Sequence, residues 1–290
     1  MGSPVSISEN VVAVQQDFPS GRHLAGRIVR CARIVLGLAF ALCATLVLVP
    51  LQLLAMKTKL WPETVILKLW HRSILRALGI RVRVKGALYE RRPLLVVSNH
   101  VSWTDICVLG SRLDVTFISK AELSKWPLVG FLSRLQRTVF IEREARRKSG
   151  EQASEIAQRL GEGDAMILFA EGTTSDGTVI LPFKSTLFGA ANMALAEGTA
   201  ERVYIQPVSI AYTHLQGIAM GRRQRAVASW IGDTDLASHA FALLAQGGMD
   251  VEISLGEPIE FAQGSSRKDA TRVIERRVRD MFAASLRDPR

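Results

Sequence analysis

The sequence predicts an α/β fold in which a largely parallel sheet is flanked by helices, with a pair of apolar helices ahead of it. Two observations predict this architecture. Short apolar runs alternate with helical patterns through most of the 290 residues, which is typical of strands joined by crossover helices. A long stretch without charge lies near the N-terminus. We therefore divide the chain into a mobile tail at 1–20, a helical pair at 21–80 and an α/β domain at 81–290.

The helical pair begins with an uncharged stretch from Ile34 to Leu51, which approaches the length of a helix that crosses a bilayer. After Pro62, apolar residues recur at helical spacing as far as Leu78, and basic residues fill much of the opposite face. Such a helix either lies at the headgroup boundary of a membrane or packs against a protein core. We expect the pair to anchor the chain, either by spanning the bilayer or by dipping into one leaflet.

The α/β domain is predicted to contain seven strands and four helices. The strands are expected at 82–84, 94–97, 115–118, 139–141, 165–169, 203–210 and 251–255. The helices are expected at 104–112, 144–160, 185–196 and 267–286. Active sites of such sheets lie at the carboxyl ends of the strands. His100 and Glu171 both follow predicted strand ends, so we expect them on the same edge.

Composition restricts the classes of partner. The formal net charge is +10 and 48% of residues are hydrophobic, which favours anionic partners and a membrane surface in particular. Nucleic acid is not expected, because zinc-finger spacing, an RNA-binding aromatic signature and a basic zipper pattern are all missing from the sequence. No metal site is expected, since His and Cys are not clustered at ligand spacing. The cysteines Cys31, Cys43 and Cys107 are interpreted as reduced thiols.

His100 and Asp105 form the first candidate site. His100 follows the apolar run Leu94-Leu95-Val96-Val97, and Asp105 lies five residues beyond it. A short turn can return the Asp105 carboxylate to the imidazole. A carboxylate in that position holds one tautomer and leaves the other ring nitrogen free to accept a proton. Chemistry that deprotonates a hydroxyl near neutral pH requires such a base.

Three further segments follow this pair in order. The four segments are Asn99-His100-(four residues)-Asp105, Thr138-Val139-Phe140-Ile141-Glu142-Arg143, Phe169-Ala170-Glu171-Gly172-Thr173-Thr174-Ser175 and Ile205-Gln206-Pro207-Val208-Ser209-Ile210. Together they resemble the four motifs of the glycerolipid acyltransferases, specifically the 1-acylglycerol-3-phosphate acyltransferase family. The resemblance extends from about residue 84 to about residue 255.

The resemblance implies a glycerolipid-acyltransferase-like sandwich and an O-acyltransferase activity. The expected reaction moves a fatty acyl group from an acyl thioester to the free hydroxyl of a lysolipid, foremost 1-acyl-sn-glycerol-3-phosphate, which gives phosphatidate. The donor is then acyl-CoA or acyl carrier protein, and no bound cofactor is expected. The partners are the lysolipid acceptor, the acyl donor and an anionic membrane surface. The family implies a catalytic domain on the cytoplasmic face of the cell inner membrane.

Cationic residues are the candidate ligands of phosphate. Lys120 and Arg143 each follow a predicted strand, and by resemblance they meet the phosphate of the acceptor; a guanidinium can bind two phosphate oxygens at once. Lys184, in Leu181-Pro182-Phe183-Lys184, is a candidate for the phosphate of the acceptor or of the acyl carrier. The alternative for each of the three is an ordinary solvated surface cation.

The third motif supplies the remaining candidates, Glu171, Gly172, Thr173 and Thr174. Glu171 is expected either to bind the acceptor or to position its loop. Gly172 allows the backbone to approach a ligand closely. By resemblance, Thr173 also belongs to the substrate site. Thr174 departs from the family motif, which usually has arginine at this position. A lost charge-assisted contact is worth roughly 1.5–3 kcal/mol, so either another cation replaces it or the acceptor lacks a phosphate.

A phosphate-free acceptor is the alternative that this departure leaves open. Glu171-Gly172-Thr173-Thr174-Ser175-Asp176-Gly177 is similar to the lyso-ornithine lipid acyltransferase branch of the superfamily, as is Trp230-Ile231-Gly232-Asp233. Two alternatives come from other classes. One is an inactive membrane-bound lipid-binding protein with the same fold, and the other is a lipid hydrolase in which the same pair activates water. The absence of a serine nucleophile elbow from the sequence disfavours the hydrolase.

Overall fold

The computed structural model describes residues 23–141, 149–196, 200–232 and 234–288. The strands in these ranges are β1 (Ile80–Lys85), β2 (Leu94–Ser98), β3 (Thr116–Lys120), β4 (Val139–Ile141), β5 (Ala165–Phe169), β6 (Arg202–Leu215), β7 (Ile218–Ala219), β8 (Met249–Leu255) and β9 (Ile259–Ala262). The α-helices are α1 (His23–Thr58), α2 (Glu63–Leu78), α3 (Thr104–Gly110), α4 (Pro127–Leu135), α5 (Ser149–Gly161), α6 (Gly189–Ala196), α7 (Arg222–Arg225), α8 (Leu236–Gln246) and α9 (Arg267–Arg287). Short 3₁₀ helices cover Ala121–Lys125 and Ser185–Phe188.

One mixed sheet contains all of these strands. Its order is β1-β8-β6-β2-β5-β3-β4, with β7 and β9 paired to β6. The pairs of β2 with β5 and β6, of β3 with β4 and β5, and of β1 with β8 are parallel. Only the pairs that β6 makes with β7, β8 and β9 are antiparallel within the described ranges. The prediction of a largely parallel sheet flanked by helices is confirmed.

The central strand β2 is buried on both faces. Leu94, Leu95, Val96 and Val97 have no exposed surface, as expected for a strand covered by helices on both sides. Alternate residues enter separate cores. Leu94 and Val96 pack with residues of α2, α3 and α8, whereas Leu95 and Val97 pack with residues of α5, α6 and α9. Strand β2 is therefore a fixed support for the residues that follow it.

The helices α1 and α2 pack against each other and against α8. The indole Nε1 of Trp70 donates to Oγ1 of Thr45 at 3.0 Å, and Nη1 of Arg33 donates to the carbonyl of Gln246 at 3.3 Å. Gly37 permits close packing, because a Cβ at this position would lie 2.7 Å from a methyl carbon of Leu244. The helical pair is therefore docked onto the α/β domain.

Helix α1 nevertheless leaves a large apolar surface uncovered. At 36 residues it is about 54 Å long, and it is long and apolar enough to cross a membrane. Its large exposed apolar residues are Ile28, Val29, Val35, Leu36, Leu38, Phe40, Leu42, Leu46, Val47, Leu51, Leu53 and Leu54. An exposed apolar surface of this extent is typical of contact with lipid or with another protein.

Several predicted bounds differ from the structure. Helix α1 extends well beyond the uncharged stretch and continues through Pro50. Strand β6 continues five residues beyond Ile210, because its polar C-terminal part still pairs with β8. The predicted helix at 185–196 is a 3₁₀ turn followed by α6, and α3 ends at Gly110. Helices α4 and α8 and strand β9 were not predicted. The tail at 1–20 and residues 144–148 of the predicted helix at 144–160 lie outside the described residues.

Candidate active site

The turn between β2 and α3 brings His100 and Asp105 together. Strand β2 ends at Ser98 and α3 begins at Thr104, so Asp105 lies in the first turn of the helix. Nδ1 of His100 is 2.8 Å from Oδ2 of Asp105. The Asp105 side chain is fully buried, whereas 18% of the His100 side chain is exposed. The ring is therefore held from inside the protein and is accessible from outside.

Asp105 is surrounded by hydrogen-bond donors. Its Oδ2 also accepts from the backbone N–H groups of Val101 at 2.6 Å and Ser102 at 2.9 Å. The phenol of Tyr212 donates to Oδ1 at 2.8 Å, and the Thr104 hydroxyl lies 2.6 Å from the same phenol oxygen. Burial and the negative charge of Asp105 raise the pKa of Tyr212 well above its ordinary value. Tyr212 therefore remains a donor, and the carboxylate stays in one orientation.

This environment assigns the tautomer of His100. A carboxylate oxygen that already accepts from two backbone N–H groups can only accept again, so Nδ1 of His100 carries the proton. The lone pair of the ring is then on Nε2. The ring stacks on Phe169, with centroids 3.9 Å apart and an angle of 16° between the planes. Phe169 ends β5, so the neighbouring strand fixes the plane of the imidazole.

Glu171 supports the same turn from β5. Ser98 pairs with Phe169 in the parallel β2–β5 ladder, and Glu171 follows two residues later. Its Oε1 accepts from the backbone N–H of His100 at 2.8 Å, and its Oε2 accepts from that of Leu181 at 2.8 Å. Burial raises the pKa of Glu171 to about 7, although the two N–H groups favour the ionised form. The carboxyl group thus joins the backbone of His100 to the loop that follows β5.

Asn99 supports the turn from β6. Its side-chain amide donates to the carbonyl of Ile210 at 3.0 Å and accepts from the N–H of Ile210 at 2.8 Å. The carbonyl of His100 accepts from the N–H of Ser175 at 2.8 Å. The residues on both sides of the imidazole are thus attached to β5, to β6 and to the third-motif loop. Such preorganisation keeps a base in place without induced movement.

The third-motif residues have different environments. Gly172 has a φ of 74°, a conformation that favours glycine, and it is buried; Thr173 is exposed. The hydroxyl of Thr174 donates to the carbonyl of Trp230, and the N–H of Trp230 donates to the carbonyl of Val101 at 3.0 Å. Thr174 therefore fixes a segment that lies against the His100 turn.

The predicted cationic residues are less closely associated with the His100–Asp105 pair. Lys120 ends β3 and is exposed, at the same edge of the sheet as His100. Lys184 is also exposed, and its backbone N–H donates to the carbonyl of Ala170 at 2.9 Å. Within residues 23–141 and 149–196, neither lysine forms a hydrogen bond or an ion pair with His100 or Asp105. Arg143 and Asp233 lie outside the described residues.

Three residues of the site were not predicted. Tyr212 lies beyond the predicted end of its strand, but it alternates with Val208 and Ile210 and so faces the same side. Phe169 was assigned only to a strand, and Asn99 only to a motif. The period-two pattern of β6, continued past Ile210, is the signal that could have identified Tyr212.

Other reactive groups in the described part of the chain do not belong to this site. Cys107 is buried, and burial raises the pKa of its thiol to about 12. It is therefore protonated and unreactive as a nucleophile. Over the described ranges, no group of three His, Cys, Asp or Glu side chains is arranged to bind a metal ion.

Comparison with known proteins is consistent with this geometry. Residues 79–211 match the Acyltransferase family. The chain is 47% identical over 254 residues to a lyso-ornithine lipid O-acyltransferase of Brucella abortus, covering 88% of this chain and 95% of that protein. It is 43% identical to the protein of that name from Rhizobium meliloti, covering 84% of this chain and 83% of that protein. A 1-acyl-sn-glycerol-3-phosphate acyltransferase of Neisseria meningitidis is 36% identical over 121 residues, which cover 41% of this chain and 48% of that protein.

The fold has a counterpart among solved structures. The crystal structure of the 1-acyl-sn-glycerophosphate acyltransferase PlsC from Thermotoga maritima superposes with a TM-score of 0.61. The alignment covers 88% of this chain and 97% of that chain, at 24% sequence identity. At that identity the likeness establishes the shared fold alone.

Proposed function

The chain belongs to the acyltransferase family, and from that premise we propose that its acceptor is lyso-ornithine lipid and that His100 is the base. It is an enzyme that transfers an acyl group to a lysolipid. The observation that carries the proposal is the His100–Asp105 pair, in which a buried carboxylate orients an imidazole whose other face is accessible. The same observation argues against an inactive lipid-binding protein, because the pair and its supporting contacts are complete.

The proposed mechanism is a direct transfer. Nε2 of His100 removes the proton of the lysolipid hydroxyl as the oxygen attacks the thioester carbonyl. Asp105 stabilises the imidazolium that forms. The tetrahedral intermediate collapses by breaking the carbon–sulfur bond, and the imidazolium returns its proton to the departing thiolate. The products are the O-acylated lipid and a free thiol, so atoms and charge balance without a covalent acyl-enzyme.

Two observations support lyso-ornithine lipid as the acceptor. The two relatives of that name match the chain over most of its length, whereas the 1-acyl-sn-glycerol-3-phosphate acyltransferase of Neisseria meningitidis matches less than half of it. In addition, Thr174 occupies the position where the family usually has arginine, and its hydroxyl donates a hydrogen bond to the carbonyl of Trp230. This position therefore offers no cation to a phosphomonoester, in line with an acceptor that has no phosphate.

Lysophosphatidate is the second candidate acceptor. The observation in its favour is the pair of exposed lysines, Lys120 and Lys184, at or near the carboxyl ends of β3 and β5. Either lysine can supply the charge that Thr174 lacks. The similarity to 1-acyl-sn-glycerol-3-phosphate acyltransferases also includes the motif region.

The donor and the location follow from the chemistry of the substrates. We propose acyl-CoA or acyl carrier protein as the donor, since both are acidic and the chain carries a net charge of +10. The exposed apolar surface of α1 supports membrane association. We place the catalytic domain on the cytoplasmic face of the inner membrane, where acyl thioesters are available.

Comparison of acceptors tests the proposal. Purified protein in detergent is supplied with an acyl thioester and either lyso-ornithine lipid or lysophosphatidate, and the lipid product is identified by mass spectrometry. The expected result is acylation of lyso-ornithine lipid with a kcat/KM at least about tenfold higher than for lysophosphatidate, the equivalent of one lost polar contact. A preference for lysophosphatidate would contradict the proposed acceptor and direct attention to Lys120 and Lys184.

A further inference from the structure

Helix α4 exposes large apolar side chains close to the active-site edge. Leu128 is 66% exposed and Phe131 is 40% exposed, and Trp126, directly before the helix, is 41% exposed. Leu128 and Phe131 are three residues apart, so they lie on one face of the helix. We refer to Trp126, Leu128 and Phe131 as the α4 patch. Single exposed apolar residues are ordinary, but three large ones within six positions require an explanation.

One end of α4 contacts the N-terminal helical pair. Nε2 of Gln52, on α1, donates to the carbonyl of Leu135 at 3.4 Å. A cleft at this contact is lined by residues of all three helices, including Leu48, Trp70 and Leu132. The exposed residues Leu51, Leu53 and Leu54 flank Gln52 on α1. The apolar surface of α1 therefore reaches the C-terminal end of α4.

The other end of α4 lies near the catalytic edge of the sheet. Lys120 ends β3, a 3₁₀ turn follows over Ala121–Lys125, and α4 begins at Pro127. Strand β3 pairs with β5, whose carboxyl end carries Phe169 against the imidazole of His100. The α4 patch thus lies between the N-terminal helical pair and the edge where the reaction takes place.

The charges around the patch complement an anionic surface. The exposed basic residues Lys120, Lys125 and Arg134 flank the patch on both sides. Glu122 is also exposed, so three basic side chains stand against one acidic side chain and the stretch is net basic. A helix that combines tryptophan, leucine and phenylalanine with neighbouring basic residues is typical of binding at the headgroup boundary. Each basic residue near an anionic leaflet adds to the electrostatic attraction.

We propose that the α4 patch is a second membrane-contact surface and that an anionic phospholipid leaflet is its partner. Contact through α1 alone attaches the chain to the membrane but leaves its tilt undetermined. Contact through both α1 and α4 fixes the tilt so that the edge carrying His100 faces the headgroup layer. The lysolipid acceptor can then meet the imidazole without leaving the leaflet. The proposal relies on the membrane association of the enzyme and not on the identity of its acceptor.

Fluorescence quenching by lipid tests this contact. In a Cys31→Ser/Cys43→Ser background, which retains the buried Cys107, an environment-sensitive probe is attached to Leu128→Cys, Leu46→Cys or Ala283→Cys. Leu46 is exposed on α1, and Ala283 is exposed on α9, across the sheet. The full-length protein is reconstituted in phosphatidylglycerol-containing vesicles with a quencher on a shallow acyl-chain carbon. Quenching of the Leu46 and Leu128 probes, with the Ala283 probe unaffected, is expected.

Two results would overturn the proposal. One is quenching at Leu128 that is no stronger than at Ala283. The other is shielding of the Leu128 probe only after addition of acyl carrier protein, which would make the patch a protein-docking site. Because quenching requires no turnover, its outcome is independent of the proposed acceptor.

A triple variant provides an independent test. We expect the variant Trp126→Ser/Leu128→Ser/Phe131→Ser to transfer acyl groups to lysolipid in vesicles about tenfold more slowly, or worse. In wild type, apolar contact between the patch and the leaflet stabilises the productive orientation, and the variant loses this contact. Transfer to the same lysolipid in detergent micelles is expected to stay within about twofold of wild type, because a micelle imposes no fixed tilt. An equal loss in both assays would overturn the proposal, because the patch would then act on the active site or on folding.

Discussion

The backbone N–H of His100 donates to the carboxyl group of Glu171 across 2.8 Å. The two residues are 71 positions apart in sequence, yet they meet because β2 and β5 are paired in parallel and end together. From this contact we propose that Glu171 positions the imidazole by holding the backbone of His100. The first and third motifs therefore form one structural unit.

Replacing Glu171 by glutamine tests this role. Both carboxyl oxygens accept from backbone N–H groups, whereas glutamine has one acceptor and places an NH₂ donor against the second N–H. In an assay above pH 7, where the carboxyl group is ionised, one lost charge-assisted bond of roughly 1.5–3 kcal/mol corresponds to a fall in kcat of roughly 10- to 150-fold. The KM for the lysolipid should change little in steady-state kinetics. A large rise in that KM with kcat unchanged would instead indicate direct contact with the acceptor.

The pH dependence of stability provides a second test of Glu171. Its pKa is raised by burial from 4.5 to about 7, so between these values the folded state retains a proton that the unfolded state has lost. The contribution of Glu171 to stability is therefore greatest below pH 4.5 and declines as pH rises through 7, by up to roughly 3 kcal/mol. The thermal midpoint of wild type relative to Glu171→Gln should fall between pH 5 and pH 8. A difference independent of pH would contradict the shifted pKa.

Asp105→Asn should remove catalysis without disrupting the turn. Oδ2 accepts from two backbone N–H groups as well as from Nδ1 of His100, so the asparagine oxygen takes this position and its NH₂ faces the hydroxyl of Tyr212. The turn is then kept, but a neutral amide no longer stabilises the imidazolium that forms when His100 accepts the proton. A loss of about 10³- to 10⁴-fold in kcat is expected, the scale of an aspartate-to-asparagine change in a comparable His–Asp pair. The matched control is Asp269→Asn, on the exposed face of α9, which should behave as wild type. Retention of a tenth or more of the activity, on the scale of about one lost hydrogen bond, would argue against this role.

Tyr212→Phe should weaken the orientation of Asp105. It removes the donor to Oδ1 but leaves the two backbone N–H donors and His100 on Oδ2. A fall in kcat of roughly tenfold is expected, the effect of about one hydrogen bond to a charged group. Tyr204→Phe, on the same strand, is the control, because Tyr204 packs against Tyr89 and not against the site. Equal effects of both substitutions would mean that Tyr212 contributes only to packing.

Thr174→Val should loosen the segment that contains Trp230. Valine has nearly the shape of threonine but cannot donate to the partly buried carbonyl of Trp230, and loss of this donor costs up to about 1–3 kcal/mol. We expect a lower thermal midpoint and a higher KM for the lysolipid, with kcat less affected. Thr174→Ser keeps the hydroxyl and should restore both quantities. If serine and valine behave alike, the hydroxyl contact is not what holds this segment.

The strands that support the site were predictable because they are buried on both faces. Leu94-Leu95-Val96-Val97 and the run at 165–169 are continuous apolar stretches, and both match β2 and β5 closely. The His100–Asp105 contact was expected from the five-residue spacing together with the resemblance of the four motifs to a known family. The bonds that Glu171 makes were not predictable, since they depend on which strands become neighbours and on the path of the loop to Leu181.

Helices α4 and α8 and the C-terminal part of β6 were difficult to predict from the sequence for physical reasons. Helix α4 has only nine residues, begins with proline, and carries the apolar residues Leu128 and Phe131 on its exposed face, so its sequence resembles a short apolar run more than a surface helix. Helix α8 is apolar over most of its surface because it packs against both α1 and the sheet core. Tyr212 lay outside the predicted strand, which ended at Ile210. The strand β6 in fact continues to Leu215, and its pairing with β8 passes through an irregularity between Tyr212 and His214.

The central claim is that His100 deprotonates the acceptor hydroxyl, and acceptor-dependent thiol release measures this most directly. Purified wild-type protein and His100→Ala are supplied with the same acyl thioester, with and without lyso-ornithine lipid, and free thiol is followed over time. We predict release by wild type only when the lysolipid is present, and a loss of about 10³-fold or more in the variant, as for removal of a general base. Equal acceptor-dependent release by the two proteins would contradict the account.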